Sequence, residues 1–516
     1  MIYSFTREDF RKYALKEEFD KIVNLKTVPE LLNYLKNYLG LPAIGRNDGS
    51  VVKYDELLVD VNRVCAFLAN KQVPKKTNVG VLFTNSYEFA VMSLGVMAYG
   101  CVAVLLPNHL DENIIFGCSK KYRLSALLYE RIFIGKTGLL NPNEIILGNE
   151  DILKQEVYGT FVSNDIKEND PACIIMTGGT TGKSKGAVLS HTALMCGMIN
   201  GCYGLKGIMN LTYYCMMPLT HVFGFIRNLL TSLYTGSLIY FNHDKRLMFE
   251  EMKKFKPSIL VIVPALAELF LNLMKAYGEG FLGGNVKHII CGAANVPPYL
   301  IVEFNKMGIN FCAGYGLTEF ANMVSGNPEG LKNPSSVGML FPEQEAKVVN
   351  GELWLRGRNM LIEYYAEPEE NKNAFSDGWF KTGDLVRFDE NKELYIIGRT
   401  KDVIVLSNGE NVSPAYIESK IDELNFIQDS LVTESTNDYG AQILQAEVTL
   451  RASVVQKLGI PEAELKEYVE ENVFSVNEKL QDFERISKVI IRDKDFDRTP
   501  AMKIIRPKKV FNNDKN

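Results

Sequence analysis

Short apolar runs rich in β-formers, each followed by a stretch with helical apolar spacing, recur along this chain and limit its fold more than any other feature. Residues 79–83 are short and apolar, 87–99 carry apolar residues at helical spacing, and 101–106 are apolar again until Pro107-Asn108 stops them. The pattern returns at 258–263 followed by 265–277, and at 286–290 followed by 298–307. Repeated units of this kind predict mostly parallel sheets flanked by helices. Near Gly351 the texture changes: 351–356 and 393–397 read as strands joined by Gly, Asp and Asn turns, which predicts a more antiparallel region. After Gly398 a compact final segment has its own pattern. Ser413-Pro414 opens a helix running to Leu424, 446–450 is strand-like, and 462–473 is helical with an acidic start. At 516 residues the chain exceeds what one core usually supports, so at least two domains are expected. The boundary falls in the charged turn 399–402.

A net charge of −5 over this length gives no reason to expect a nucleic-acid partner. The nine cysteines form no close-spaced pair suited to zinc or iron–sulfur ligation, and most sit in apolar runs, as reduced core thiols of an intracellular protein do. Met1-Ile2-Tyr3-Ser4 leads straight into charged residues without a signal-peptide core. The most apolar region, 258–274, is interrupted by Pro264, Glu268 and Asn272 and is too short to span a bilayer. The expectation is a cytoplasmic enzyme with no integral membrane segment.

The strongest chemical signal is 176–186, Met-Thr-Gly-Gly-Thr-Thr-Gly-Lys-Ser-Lys-Gly, between an apolar run and a helix expected to open at Ser190. Its four glycines, three threonines and two lysines make a cradle whose amides, hydroxyls and ammonium groups can converge on phosphate oxygens. A solvated turn accounts for the glycines but not for the lysines and threonines. The spacing is not that of the common P-loop, because three residues separate Gly178 from Gly182-Lys183-Ser184 where four are needed. A second segment, 312–319, sets glycines on both sides of Tyr315, so that backbone and phenol can approach a flat ligand. There Thr318 offers a phosphate hydrogen bond, and Glu319 is the hard oxygen ligand that Mg²⁺ prefers. In 379–384, Asp384 follows a Thr-Gly turn and suits both hydroxyls of a ribose, to which Arg399 can add a contact. Composition alone equally allows 379–384 and 398–418 to be charged turns between strands. Lys503, in Arg-Thr-Pro-Ala-Met-Lys, is by spacing alone an ordinary surface lysine.

Taken in order and at these separations, the segments resemble the acyl- and aryl-adenylate-forming superfamily: acyl-CoA synthetases, nonribosomal adenylation domains and firefly luciferase. The superfamily's Ser/Thr-Ser-Gly-Thr-Thr-Gly-x-Pro-Lys-Gly signature is matched at Thr177, Gly179, Thr180, Thr181, Gly182, Lys185 and Gly186, with departures at Gly178 and Ser184. Further matches are 218–221, Gly292-Ala293-Ala294, Thr318-Glu319, Asp384, Arg399 and Lys503, and upstream 54–57 and 85–89. The resemblance implies an α/β fold. A large domain, 1–398, would hold stacked mixed β-sheets, flanking helices and a distorted barrel-like subdomain. A hinge at 399–402 would lead to a small mobile α+β domain, 403–516.

It further implies that a carboxylate attacks the α-phosphorus of ATP to give an acyl-adenylate, which then passes to the thiol of coenzyme A. In that scheme Thr177, Gly178, Gly179, Thr180, Thr181 and Gly182 hold the β- and γ-phosphates with Lys185 as charge clamp. Thr318 meets the α-phosphate, Glu319 binds Mg²⁺, Asp384 and Arg399 hold ribose, and Tyr315, Gly316 and Gly292 to Ala294 frame adenine. Lys503 bridges carboxylate and α-phosphate, although Met502 stands where a glycine is usual. His221 gates the path between acid and thiol, and a satisfied histidine after a proline turn is the plainer account. His191 is expected to cap the helix after the first loop.

Amino-acid-activating members carry an aspartate shortly after the first loop. Here 218–225 hold no acid, which disfavours an α-ammonium substrate. Phe225, Val263, Ala265, Gly314, Gly316 and Met323, the expected pocket residues, are apolar or small, and fit a fatty or aromatic acid. An acyl carrier protein is the alternative acceptor, and a catalytically weakened nucleotide-binding homologue the alternative class. Sequence does not set the oligomeric state.

Overall fold

The computed structural model describes residues 1–46, 48–177, 184–406, 410–437, 439–498 and 504–506. Two large sheets form its body. The seven-stranded sheet runs Glu363–Tyr364, Lys185–Ser190, Pro171–Thr177, Val102–Leu105, Asn78–Leu82, Leu124–Tyr129, Ile146–Gly148. From Pro171–Thr177 to Ile146–Gly148 its strands are parallel, and Lys185–Ser190 returns antiparallel, with Thr177 opposite Lys185. Helices cover it because the sequence makes them apolar. Tyr87–Tyr99 is buried at every position but Glu88, starts where Ser86 Oγ accepts from Phe89 N (3.1 Å), and stops at Gly100, whose φ of 99° a side chain would oppose.

In the nine-stranded sheet, Pro42–Gly45, Leu238–Phe241, Thr212–Cys215, Ile259–Ile262, His288–Cys291 and Asn310–Tyr315 lie parallel to one another. A six-stranded sheet with antiparallel pairing holds Gln344–Val349, Glu352–Gly357, Trp379–Phe388 and Leu394–Arg399, the region where turn residues replace the β–α alternation. The helix after the first loop is His191–Asn200. Its cap is Ser190, whose Oγ accepts from Ala193 N at 3.1 Å, while His191 is its first residue and accepts from Val28 N through Nδ1 (3.3 Å). A hydroxyl on a short stem reaches the open amides; the imidazole turns inward instead.

A separate core, from Ile404 to Val489, is built by Pro414–Ile421, Glu462–Ser475 and the sheet Ile427–Thr436, Gln442–Leu450, Ile486–Ile491. Ser413 Oγ donates to Ile397 O (2.8 Å) between it and the body, and a second, buried polar group joins the two around Arg451. Arg451 Nε donates to Glu268 Oε1 (2.5 Å), its Nη2 to Tyr299 Oη (3.1 Å), and Tyr299 Oη to the same glutamate oxygen (2.8 Å). The cysteines are free thiols, all but Cys118 buried. No helix among the described residues is long and apolar enough to cross a membrane.

Candidate active site

Parallel strands expose their carboxyl ends along one edge, and ligand-binding loops of open α/β sheets gather there. In the nine-stranded sheet the segment 216–221 follows Cys215, Gly292-Ala293-Ala294 follows Cys291, and Gly316 to Glu319 follow Tyr315. In the other sheet, Thr177 ends its strand and opens the glycine-rich loop. Asn85 ties the two edges: its Nδ2 donates to Met217 O and its Oδ1 accepts from Leu219 N, both at 2.9 Å. This fixes the turn that carries His221.

The glycines at these ends are required by backbone contacts. A Cβ on Gly292 would stand 2.9 Å from the Gly314 carbonyl oxygen, so the loops after adjacent strands touch. Ala293 is held at φ 68°, a left-handed conformation that an alanine adopts only when its surroundings impose it. Gly316 serves a different purpose from close ligand approach. Its Cβ would fall 1.4 Å from Asn322 O, so the glycine admits the chain's own return turn. Phe225, expected around the acid, packs instead against Phe89, with ring centroids 6.3 Å apart.

The structure brings Tyr315, Asp384 and Arg399 together. Asp384 and Arg399 face each other across paired strands. Arg399 Nε donates to Asp384 Oδ1 (2.8 Å) and Tyr315 Oη to Oδ2 (2.5 Å), with Asp384 only 3% exposed. The Asp384 charge raises the Arg399 guanidinium above its ordinary range. Burial, reinforced by the same carboxylate, lifts the Tyr315 phenol well above its own, keeping it a donor. A carboxylate offers about four lone-pair positions, so two remain beyond these partners.

Beside this group, Glu319 Oε1 accepts from Tyr364 Oη (2.7 Å), and Lys185 Nζ lies 5.1 Å from the centre of the Tyr364 ring while donating to Glu370 Oε2 (2.5 Å). Tyr364 therefore links the expected phosphate lysine to the expected metal ligand. Its strand, Glu363–Tyr364, pairs with Ala187 and Val188. No sequence motif marked it, although an aromatic beside a glutamate after an apolar run was the available signal. Among the described residues no cluster of three metal-ligating side chains occurs. One carboxylate still fits Mg²⁺, which commonly binds through one or two carboxylates together with nucleotide phosphates.

Thr318 is buried, opening the short turn Thr318–Phe320. His221 Nδ1 accepts from Phe223 N (3.2 Å), which leaves the proton of a neutral ring on Nε2. The π-helix Phe223–Leu230 follows, a rare form frequent at functional sites. It passes over Pro218 only because residue 224 is glycine: a Cβ there would lie 2.1 Å from Pro218 O. Gly178, Gly179, Thr180, Thr181, Gly182 and Lys503 lie outside the described residues. The residues flanking Lys503 are tied down. Arg498 pairs with Asp429 (2.5 Å) and bridges to Ile504, and Arg506 pairs with Glu418 and with Asp402 (3.6 Å).

Residues 34–365 match the AMP-binding enzyme family and 401–513 match the AMP-binding enzyme C-terminal domain. The chain is 28% identical over 524 residues to 4-coumarate–CoA ligase-like 6 of Arabidopsis thaliana, covering 94% of this chain and 89% of that protein. It is 24% identical over 438 residues to a long-chain-fatty-acid–CoA ligase of Haemophilus influenzae, covering 73% and 77%. The fold matches ATP-bound MatB from Rhodopseudomonas palustris with a TM-score of 0.78 at 24% identity, over 93% of this chain and 97% of the other. On the strength of the matched segments, the chain belongs to the AMP-binding enzyme family.

Proposed function

We propose that this protein activates a fatty or aromatic carboxylic acid with ATP, releasing pyrophosphate, and transfers the acyl group from the acyl-adenylate to the thiol of coenzyme A. The observation that supports it most is the Tyr315–Asp384–Arg399 group beside the glycine-lined strand ends, with two carboxylate lone-pair positions open to a ribose. A carboxylate is a poor electrophile, and the barrier to its attack on the α-phosphorus lies in charge building on phosphate oxygens. Fixed cations and donors lower it.

In this reading Asp384 and Arg399 hold the ribose, and Tyr315 with Gly292 to Ala294 borders adenine. Thr177 and the loop 178–182 cradle the outer phosphates with Lys185, which exchanges Glu370 for them, and Thr318 meets the α-phosphate. Glu319, oriented by Tyr364, would hold Mg²⁺. When bound, that ion neutralises charge on the phosphate oxygens. Lys503 bridges the acid and the α-phosphate. The segment 399–402 acts as a hinge on which 403–516 turn between the two half-reactions, and His221 lines the path from acid to thiol. A cytoplasmic location belongs to the same reading.

The test is acid-dependent exchange of labelled pyrophosphate into ATP across fatty and aryl acids, followed by addition of coenzyme A to the active ones. Exchange followed by thioester formation is expected. No exchange with any acid refutes the activation step, and exchange without thioester refutes the acceptor.

A further inference from the structure

The π-helix Phe223–Leu230 carries an arginine in an otherwise apolar setting. Arg227 is 1% exposed, yet no carboxylate among the described residues pairs with it. Its Nη1 reaches only Tyr213 Oη at 3.4 Å, and its Nε is buried without a partner, as is Oδ1 of the adjoining Asn228. A buried cation is retained against a large desolvation cost unless something compensates it. The Glu18 carboxylate acts on the same Cys202 and His288 as Arg227 does, but it makes no ion pair with Arg227 and accepts instead from the amides of Gly207, Ile208 and Met209.

The position of Arg227 says what can compensate it. The guanidinium lies between the helix and the nine-stranded sheet, close enough to Cys312 and Cys202 to oppose the rise that burial imposes on both thiols, and to add to the lowering of His288. Cys312 and Gly314 are two apart on one strand and share a face. Apart from Ser325 O at 3.1 Å, the space a Gly314 side chain would occupy is open. Phe223, at the head of the same helix, reaches to 3.9 Å from where a Gly292 side chain would begin. Arg227 lies four residues, about one helical turn, further along this helix than Phe223, with its Cδ 3.2 Å from where a Gly201 side chain would begin.

We propose that the acid this protein activates bears a second carboxylate at its far end, and that Arg227 receives it. The inference rests on the acid-activation reading. It narrows the fatty or aromatic acid to an alkyl or aryl dicarboxylate, because a monocarboxylate would leave the buried guanidinium without an anion. Arg227 then contributes to substrate choice, and the apo protein bears the cost of holding it unpaired.

Matched acid pairs test this on the full-length enzyme: octanedioate against octanoate, and benzene-1,4-dicarboxylate against benzoate, each in the pyrophosphate-exchange assay. In the wild type at least one diacid should exceed its monoacid by about 100-fold in kcat/KM, the range expected when a buried charge partner is removed. Arg227→Met should abolish that preference through the KM of the diacid, and Arg227→Lys should keep part of it. Because an uncompensated cation has gone, Arg227→Met without substrate should melt no lower than the wild type. Should it fail to fold, the wild-type pair preference decides by itself. Monoacids preferred in both pairs, or a diacid preference unchanged within about threefold in Arg227→Met, overturns the proposal. If no acid of either kind supports exchange, the activation reading itself falls, a result distinct from the wrong preference.

Discussion

Replacing Asp384 by Asn isolates the proposed nucleotide contact whose protein partners the structure defines best. The side chain keeps its volume and loses its charge. Its two present partners, Arg399 Nε at 2.8 Å and Tyr315 Oη at 2.5 Å, approach opposite oxygens. One of these positions becomes an NH₂ group. If it faces Arg399, two donors oppose each other; if it faces Tyr315, the phenol must turn its proton elsewhere. For the ribose, the remaining acceptor positions fall from about two to about one, and a charged acceptor becomes neutral. A hydrogen bond to a charged group contributes about 1.5–3 kcal/mol and a neutral one about 0.5–1.5. Losing one and weakening the other comes to about 2–4 kcal/mol, or roughly 30- to 1,000-fold in ATP affinity at about 1.4 kcal/mol per tenfold. Calorimetric titration with ATP measures the binding, and pyrophosphate exchange gives the ATP KM and kcat separately. The expected signature is a raised ATP KM with a smaller change in kcat, since ribose contacts change little as the α-phosphate reacts. An ATP affinity within about threefold of wild type, in a variant with unchanged circular dichroism, would show that Asp384 serves only to brace Tyr315 and Arg399.

Gly316→Ala sets a Cβ against Asn322 O at 1.4 Å, so the turn must move; exchange activity should fall about 100-fold, as for a displacement of about 1 Å at a reaction centre. Lys503→Ala should abolish exchange and largely spare thioester formation from a supplied acyl-adenylate, and equal loss of both half-reactions would refute its assignment. Glu319→Gln should raise the Mg²⁺ concentration needed for half-maximal exchange about tenfold or more, read from a metal titration. Burial pushes the His191 pKa down to about 4. Below its ordinary value the unfolded chain binds a proton that the folded chain refuses, so stability is lost as pH falls from about 6.5 toward about 4, at up to about 1.4 kcal/mol per unit. His191→Gln should flatten that part of the stability curve in urea unfolding series at stepped pH.

The parts of the fold set by local periodicity could be read before any coordinates. The helix Tyr87–Tyr99 has the bounds its apolar spacing gives, and Pro264–Tyr277 starts one residue earlier because proline suits the first helical position. Residues brought together across distant segments were partly legible. Asp384 and Arg399 each stood beside a glycine or a turn signal, but their pairing is a matter of strand register, and no spacing within one segment encodes it. Tyr364 was missed because it joins Lys185 and Glu319 from a third segment. Gly316 was read as room for a ligand, since an open glycine and one pressed against its own chain look alike in sequence. Arg227, the residue of the proposed second-carboxylate contact, was not singled out either. A charge among Phe223, Phe225, Ile226 and Leu229 already marked it, yet the pocket was reckoned from small and apolar residues alone.

The link from Arg451 to Glu268 and Tyr299 has a consequence for timing. Its charged side chains are only 10% and 20% exposed, so their attraction is screened less than that of a surface pair. In the proposed hinge reading, a rotation of residues 404–489 relative to the body has to break this group as well as the Ser413–Ile397 hydrogen bond. In that reading Glu268 and Tyr299, on the helices Pro264–Tyr277 and Pro298–Lys306, help to set how long the small unit stays in this arrangement.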